Sequence, residues 1–131
     1  MVALDTNTLI YYFKGLGEVA TRLHATPPAE VAVPSVALHE LEVRLLKSNS
    51  PDKRRQQLYT LLNIVTLLPL SQGEAKSAAQ VRVQLERRGE RIGPLDTLIA
   101  GTALHHGATL VTRNVREFAR VEGLRVENWY G

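Results

Sequence analysis

The chain contains no cysteine, which excludes a disulfide framework and any thiolate that ligates a metal or acts as a nucleophile. Its four histidines lack the spacing of a histidine-rich zinc site. Aromatic residues make up only 5% of the sequence, so base stacking is not expected as the main mode of nucleic-acid recognition. No apolar run approaches the roughly 20 residues of a membrane helix, and no signal-peptide pattern opens the chain. A soluble, cytoplasmic protein without a membrane partner is therefore expected.

The residues that are present give the composition of an ordinary globular protein. Its 131 residues are 44% hydrophobic and 22% charged, which predicts a single domain over residues 1–131. The net charge of +3 is small, so it favours a polyanionic partner only mildly.

Short apolar segments alternate with helical segments along the chain. Strands are predicted at residues 2–4, 31–33, 64–70, 109–111 and, as the weakest, around 124–126. Helix starts are predicted at Pro34-Ser35, at Ser50-Pro51 with Ser50 as N-cap, at the S-x-x-E capping box of residues 71–74, and at Gly93-Pro94. The last of these helices ends at Gly107. This alternation is typical of an α/β fold with a parallel sheet covered on both faces.

Asp5 directly follows the first predicted strand. In a parallel sheet, ligands bind beyond the carboxyl ends of the strands, so a charge at this position reaches a binding edge. The structural alternative is that Asp5 caps the helix that follows. The sequence leaves both roles open.

Asp96 lies in the first turn of the helix that begins at Gly93-Pro94. The core-facing stripe of this helix is predicted to contain Leu95, Leu98, Ile99, Thr102 and Ala103. Asp96 sits at the edge of that stripe. An acid at a helix N-terminus also stabilises the helix by a few tenths to about 1 kcal/mol, which is the structural alternative.

The helix that begins at Ser35 carries two acids, Glu40 and Glu42. Both lie among apolar neighbours at helical spacing, so periodicity does not choose between them. The same helix is apolar on more than one side, which makes one side a candidate subunit interface.

The segment TRNVREF follows the fourth predicted strand, and it places Thr112, Asn114 and Glu117 at another carboxyl end. The alternative is a turn with a helix that begins at Asn114.

Acids from several elements that converge on one cleft repel each other unless a cation is present, and hard divalent ions prefer oxygen ligands. Mg²⁺ or Mn²⁺ is the expected ion, since the chain offers neither a thiolate nor a histidine pair at ligand spacing. Arg113 and Arg116 are placed beside this cleft to hold a phosphate backbone.

Two other motifs are rejected. Residues 15–20, GLGEVA, fit the dinucleotide fingerprint, but about ten residues of predicted helix separate them from the strand that the fingerprint requires. Asp5-Thr6-Asn7-Thr8 is similar to the D-x-D-x-T of haloacid-dehalogenase-like phosphatases. Asn7 replaces the general acid of that motif and has no proton to donate, so Asp5 is favoured as a metal ligand over a phosphorylated nucleophile.

In order and spacing, LDTN, the S-x-x-x-x-E of SVALHE, GPLDTLIA, TRNVREF and the GLRVENW tail resemble the PIN-domain nucleases, and closely the VapC-type toxins of toxin–antitoxin pairs. The resemblance implies a three-layer α/β/α fold with a central, mostly parallel sheet and an endoribonuclease activity that depends on Mg²⁺ or Mn²⁺. It also implies an acidic triad of Asp5, Glu40 and Asp96, and so selects Glu40 over Glu42.

The chain departs from the family pattern at Asn114, where many members have Asp. Glu117, one helical turn later, is the expected substitute. Asp5 and Asp96 are expected to ligate the metal, with Thr6, Asn7, Thr112 and Asn114 in supporting positions. The resemblance further implies a homodimer and a cognate antitoxin whose C-terminal segment covers the active site. The alternatives are a non-cleaving RNA-binding module, and a phosphatase or DNA nuclease that uses the same acids.

Overall fold

The computed structural model describes residues 1–131 and contains one five-stranded sheet in which every strand pair is parallel. The strands are β1 (Val2–Leu4), β2 (Val31–Pro34), β3 (Thr66–Leu68), β4 (Thr109–Val111) and β5 (Val126–Glu127). The helices are α1 (Thr6–Lys14), α2 (Val19–His24), α3 (Ser35–Lys47), α4 (Asp52–Leu62), α5 (Gln72–Arg87), α6 (Pro94–His105) and α7 (Val115–Phe118), with a 3₁₀ turn at Pro28–Glu30. The helices cover the sheet in a three-layer α/β/α arrangement, which confirms the predicted fold class.

The strand order is β3-β2-β1-β4-β5, with β1 at the centre. Ala3 of β1 lies opposite Ala32 of β2 on one side and Leu110 of β4 on the other. All three side chains are fully buried, as a strand covered on both faces requires. The chain moves from β1 to β2 and β3 in one direction and then returns to the other side of β1, so the direction reverses between β1 and β4. Such a reversal is where open α/β sheets form a crevice for ligands.

The core is a cluster of 27 buried hydrophobic side chains, drawn from the sheet and from the helices on its faces. Its largest members include Leu4, Leu9, Leu58, Leu110 and Phe118. The predicted capping box of α5 is present, with Ser71 and Glu74 satisfying each other's backbone N–H groups. None of the helices combines the length and the apolar character needed to cross a membrane.

The third predicted strand, residues 64–70, is too long at both ends. The N–H groups of Ile64 and Val65 donate to the carbonyl of Leu61, 3.0 and 3.3 Å away, so these residues close the last turn of α4. The strand therefore starts at Thr66 and ends at Leu68. The last strand is also displaced, from around residues 124–126 to Val126–Glu127.

Two helix predictions need correction, and one helix was missed. Helix α4 has Pro51 as its N-cap, and Ser50 lies outside the helix with its N–H on the Ser48 hydroxyl. Leu95 is 37% exposed and does not belong to the core stripe of α6. Helix α6 packs against α3 and α5 as well as strands, so one stripe does not describe its buried surface. The short α2 was not predicted, because it buries only Val19 and Leu23.

Candidate active site

Asp5 directly follows β1 and lies in the crevice between β1 and β4. Its N–H donates to the Val111 carbonyl at 3.1 Å, which continues the β1–β4 ladder by one residue. Its Oδ1 accepts the N–H of Thr8 at 2.9 Å, so Asp5 is also the N-cap of α1. The side chain is only 5% exposed, and it therefore has both of the roles that the sequence left open: a helix cap and a charge at the binding edge.

Burial raises the pKa of Asp5, and hydrogen bonds from Thr112 and Thr8 partly offset that rise. The Glu40 carboxylate raises the pKa of Asp5 further by like-charge repulsion. Thr112 is fully buried directly after β4, and its hydroxyl also accepts the N–H of Asn114 at 3.0 Å. It thus supports Asp5 and fixes the start of the next turn with one side chain.

Thr8 is a site residue that the sequence reasoning missed. Its hydroxyl donates to the Val111 carbonyl at 3.1 Å, and its N–H holds the Asp5 carboxylate. Thr8 was visible only as the last letter of a rejected phosphatase motif. Its partner is 103 residues away, so no local pattern points to the contact.

Glu40 lies on α3 and is bound to the segment after β1. The hydroxyl of Thr6 donates to Glu40 Oε1 at 2.7 Å. Glu42 points elsewhere, because both of its oxygens accept Arg55 Nη1 at 2.9–3.0 Å and Oε1 also accepts the Tyr59 hydroxyl. The two acids that periodicity did not separate are therefore separated by their partners, and only Glu40 faces Asp5 and Asp96.

Asp96 lies in the first turn of α6 and has the most perturbed carboxyl of the group. Burial, together with repulsion from Glu40, Asp5 and Glu117, raises its pKa from 3.8 to about 6. Three acids from three other parts of the chain thus act on one side chain. Four carboxylates, from the end of β1 and from α3, α6 and α7, converge on one crevice.

Glu117 lies on α7 and is held by Asn114, whose side-chain amide donates to Glu117 Oε2. Asn114 is the N-cap of this short helix but makes no side-chain capping hydrogen bond, since its amide is directed to Glu117. Asn7 is not brought into the cluster: it is exposed and makes no side-chain hydrogen bond to any of the four acids.

The two arginines expected beside the crevice differ in how they are held. The guanidinium of Arg113 stacks on the ring of Tyr130, with its Cζ 3.6 Å from the ring centroid, and lies 5.6 Å from the ring of Tyr11. Tyr130 was not singled out from the sequence, and no local signal marks it. Arg116 is exposed and pairs with no carboxylate.

The chemistry of the cluster fits a hard divalent cation. Its donors are carboxylate, hydroxyl and amide oxygens, which suit Mg²⁺ or Mn²⁺ rather than a thiolate- or imidazole-bound ion. Burial, together with repulsion between the acids, raises the pKa of both Asp5 and Asp96, and a bound cation would favour their charged forms. The fold and the site define an α/β protein with an acidic, cation-binding type of crevice at the topological switch point of a parallel sheet.

The chain belongs to the PIN-domain family, whose model, described as PIN domain, matches residues 2–124. It is 32% identical over 126 residues to the tRNA(fMet)-specific endonuclease VapC of Salmonella typhimurium, with 96% of each chain covered. It is 33% identical over 127 residues to the Ribonuclease VapC2 of Haemophilus influenzae, also with 96% of each covered. Among solved structures, the crystal structure of VapBC2 from Rickettsia felis bound to a promoter DNA fragment superimposes with a TM-score of 0.90 at 31% identity, covering 98% of this chain and 99% of the other.

Proposed function

We propose that this protein is an endoribonuclease toxin of a toxin–antitoxin pair, which hydrolyses RNA phosphodiester bonds with the help of Mg²⁺ or Mn²⁺. The observation that carries the proposal is the convergence of Asp5, Glu40, Asp96 and Glu117 on one crevice, where three of them raise the pKa of the fourth. The names of the relatives, endonuclease and ribonuclease, support RNA as the substrate. Residues 1–131 would act as one domain in the cytoplasm, where the substrate is found.

Asp5 and Asp96 would hold the cation, with Glu40 and Glu117 completing or flanking its shell. When bound, the ion would supply charge neutralisation at the phosphoryl group and activation of the attacking water. Thr6 orients Glu40 and Asn114 orients Glu117, so each flanking acid has its own hydrogen-bond donor. The hydrogen bond from Thr112 lowers the pKa of Asp5 and so favours its ionised form.

Arg113 and Arg116 would bind the phosphates that flank the scissile bond. Stacking on Tyr130 restricts the side chain of Arg113, so less conformational entropy is lost when it binds a phosphate. The crevice would also suit three other classes of protein: a non-cleaving RNA-binding module, a phosphatase and a DNA nuclease. An assay with RNA, DNA and a phosphomonoester separates these classes.

The test is incubation of the purified protein with RNA, DNA and a phosphomonoester, with Mg²⁺ or Mn²⁺ and with a chelator. Transfer RNA is the first substrate to assay because the Salmonella relative is named for it. We expect that RNA is the only one of the three substrates to be cleaved. This cleavage should be lost in the presence of chelator and in a folded Asp96→Asn variant. Glu40→Gln should reduce the rate by at least roughly tenfold, as loss of one charged ligand does. Glu42→Gln is the matched control on the same helix and should cleave normally.

Three results would contradict the proposal. Full activity in folded Asp96→Asn would exclude a mechanism in which the Asp96 carboxylate holds the cation. Turnover of DNA or the phosphomonoester in place of RNA would assign another hydrolase class. RNA binding without cleavage, unaffected by chelator, would favour the non-cleaving module.

Apart from the C-terminal segment that is expected to cover the active site, the antitoxin would occupy a groove between α1, α3 and α4, with a volume of about 600 Å³. Its floor is apolar, formed by Ile10, Phe13, Leu41, Leu45 and Leu58. Its rim carries five cations and no acid: Lys14, Arg44, Lys47, Lys53 and Arg54. An amphipathic helix with an acidic face matches this combination, because its apolar side fills the floor and its carboxylates meet the rim.

This assignment is tested with the product of a small reading frame adjacent to the gene. The double variant Arg44→Glu/Lys47→Glu should weaken the complex and reduce its dependence on salt, since it reverses the charge of the rim. Lys76→Glu, on the exposed side of α5, is the control and should bind as the unaltered protein does. Equal affinity for all three proteins would place the partner on another surface.

A homodimer is also part of the proposal. Leu46 on α3 is 77% exposed, Ile64 is 59% exposed and Leu67 of the edge strand β3 is 44% exposed. Association through these large apolar side chains would remove them from water. Sedimentation equilibrium of the protein and of Leu46→Asp tests it, and a monomer at all concentrations would exclude the homodimer.

A further inference from the structure

A second group of metal-ligating side chains lies outside the acidic crevice. Glu74 from the first turn of α5 meets His105 and His106 at the end of α6, with one ligand atom from each residue within 4.8 Å of the others. Glu74 is 4% exposed, and its Oε2 lies 2.6 Å from His106 Nε2. Nine residues of α6 separate His105 from Asp96, which is ~14 Å along a helix axis, so the group is distinct from the crevice.

The carboxylate is oriented by the capping box. Glu74 Oε1 accepts the N–H of Ser71 at 3.0 Å, so the other oxygen, Oε2, is directed at the two histidines. A carboxylate fixed in this way loses little conformational freedom on binding an ion. The helix start thus provides a pre-oriented ligand rather than a mobile surface acid.

The position of His105 depends on a glycine. A Cβ at Gly73 would lie 2.3 Å from Cε1 and 2.5 Å from Nε2 of the His105 ring, so the ring occupies the space that any other residue would fill. The His105 and His106 rings stand nearly perpendicular, at 87°, with centroids 5.1 Å apart. A simple ion pair between Glu74 and His106 needs neither the His105 ring nor the glycine, so it does not account for the whole arrangement.

The donor set is that of a transition-metal site. Two imidazoles and one carboxylate are ligands for Zn²⁺ and other divalent first-row transition-metal ions, whereas Mg²⁺ prefers oxygen ligands alone. Bonds of 2.0–2.2 Å in a tetrahedral site place ligand atoms roughly 3.3 Å apart. One pair of ligand atoms is 2.6 Å apart and all three lie within 4.8 Å of one another, so the present distances bracket that spacing.

We propose that Glu74, His105 and His106 bind a divalent transition-metal ion of the zinc type, with water in the fourth position. The ion would join the start of α5 to the end of α6, the helix that carries Asp96 at its other end. Its effect on the protein is therefore stabilising and separate from the cation of the acidic crevice.

The experiment uses Zn²⁺ for calorimetry and thermal unfolding, and Co²⁺ as the spectroscopic probe, in the Asp96→Asn protein with excess Mg²⁺. The chain has four histidines, so each ring is resolvable by NMR. We expect one equivalent of ion, movement of the His105 and His106 signals only, and a rise in Tm of several degrees at saturating Zn²⁺. Co²⁺ should give the intense visible absorption of a tetrahedral site.

Three variants distinguish metal binding at this site from binding by a histidine elsewhere in the chain. Gly73→Ala should abolish or weaken binding by at least roughly tenfold, because it displaces the His105 ring while leaving every ligand in the sequence. His105→Ala should do the same, and His24→Ala, which removes a histidine bonded to Tyr12, should bind normally. Absence of binding, binding unchanged in both site variants, or histidine signals that respond to pH but not to Zn²⁺ would each overturn the proposal.

Discussion

Replacing Asp96 by Asn is expected to stabilise the metal-free protein, even though the same change is expected to abolish cleavage. Burial, together with Glu40, Asp5 and Glu117, raises the pKa of this carboxyl from 3.8 to about 6. The folded state therefore binds the proton more tightly than the unfolded chain does. It follows that the carboxyl's contribution to the free energy of unfolding is fully present below pH ~4 and is lost as the pH rises through about 6.

The size of the effect follows from the same pKa. At about 1.4 kcal/mol per pH unit, a rise from 3.8 to about 6 corresponds to at most about 3 kcal/mol. Asp96 is only half-buried, so solvent reduces both the cost of burying its charge and the repulsion from the other acids, and we expect about 1–2 kcal/mol above pH 7. In a chain of this length that is roughly 3–8 °C in Tm.

The assay is urea unfolding of the unaltered protein and Asp96→Asn at pH 4, 6 and 8 with chelator, followed by circular dichroism. The two proteins should be equally stable at pH 4, and the variant more stable at pH 8. Mn²⁺ should then stabilise the unaltered protein at pH 8 and close the gap. Asp52→Asn, an exposed acid in the first turn of α4, is the control and should show no such gain. A variant no more stable than the unaltered protein at pH 8, or equally stabilised at pH 4, would refute the repulsion argument.

Two other substitutions test the supports of the site. Thr112→Val removes a hydrogen bond that lowers the pKa of Asp5, so the acidic limb of the pH–rate profile should move to higher pH; an unchanged limb would contradict this role. Gly101→Ala places a Cβ 2.4 Å from the Cα of Ala78, so α5 and α6 must separate, and we expect the free energy of unfolding to fall by about 1–3 kcal/mol despite the better helix propensity of alanine. Urea unfolding measures the second effect, and a gain in stability would show that the helices are not in tight contact.

The sequence predicted the features that depend on local pattern. Strand–helix alternation gave a parallel sheet, and that alone put Asp5 and Thr112 at carboxyl ends. The capping box at Ser71 and the glycine end of α6 were readable for the same reason, since each involves residues a few positions apart. The largest error in a predicted strand boundary, at residues 64–70, arose because one apolar run covers both the end of α4 and the strand β3.

Features that depend on distant residues were not readable. Glu40 and Glu42 have equivalent neighbours within the helix, and distant partners separate them: Thr6, 34 residues away, bonds Glu40, whereas Arg55 and Tyr59 bond Glu42. Glu74 and His106 are 32 residues apart in the sequence, so histidine spacing alone does not reveal that the fold brings them into contact. No period or spacing rule contains this information, because it is produced by packing.

The hydrogen bonds around the crevice indicate which acid needs the cation most. Asp5 accepts the N–H of Thr8, Glu40 accepts the hydroxyl of Thr6, and Glu117 accepts the amide of Asn114. The Asp96 carboxylate accepts no hydrogen bond, although it is exposed to repulsion from the other three acids. A hydrogen bond to a carboxylate stabilises its charged form, so three of the acids are partly supported by the protein and the fourth is not. The fold therefore leaves Asp96 as the one acid of the four without a hydrogen-bond donor, and a cation bound in the crevice as proposed would offset the repulsion that acts on it.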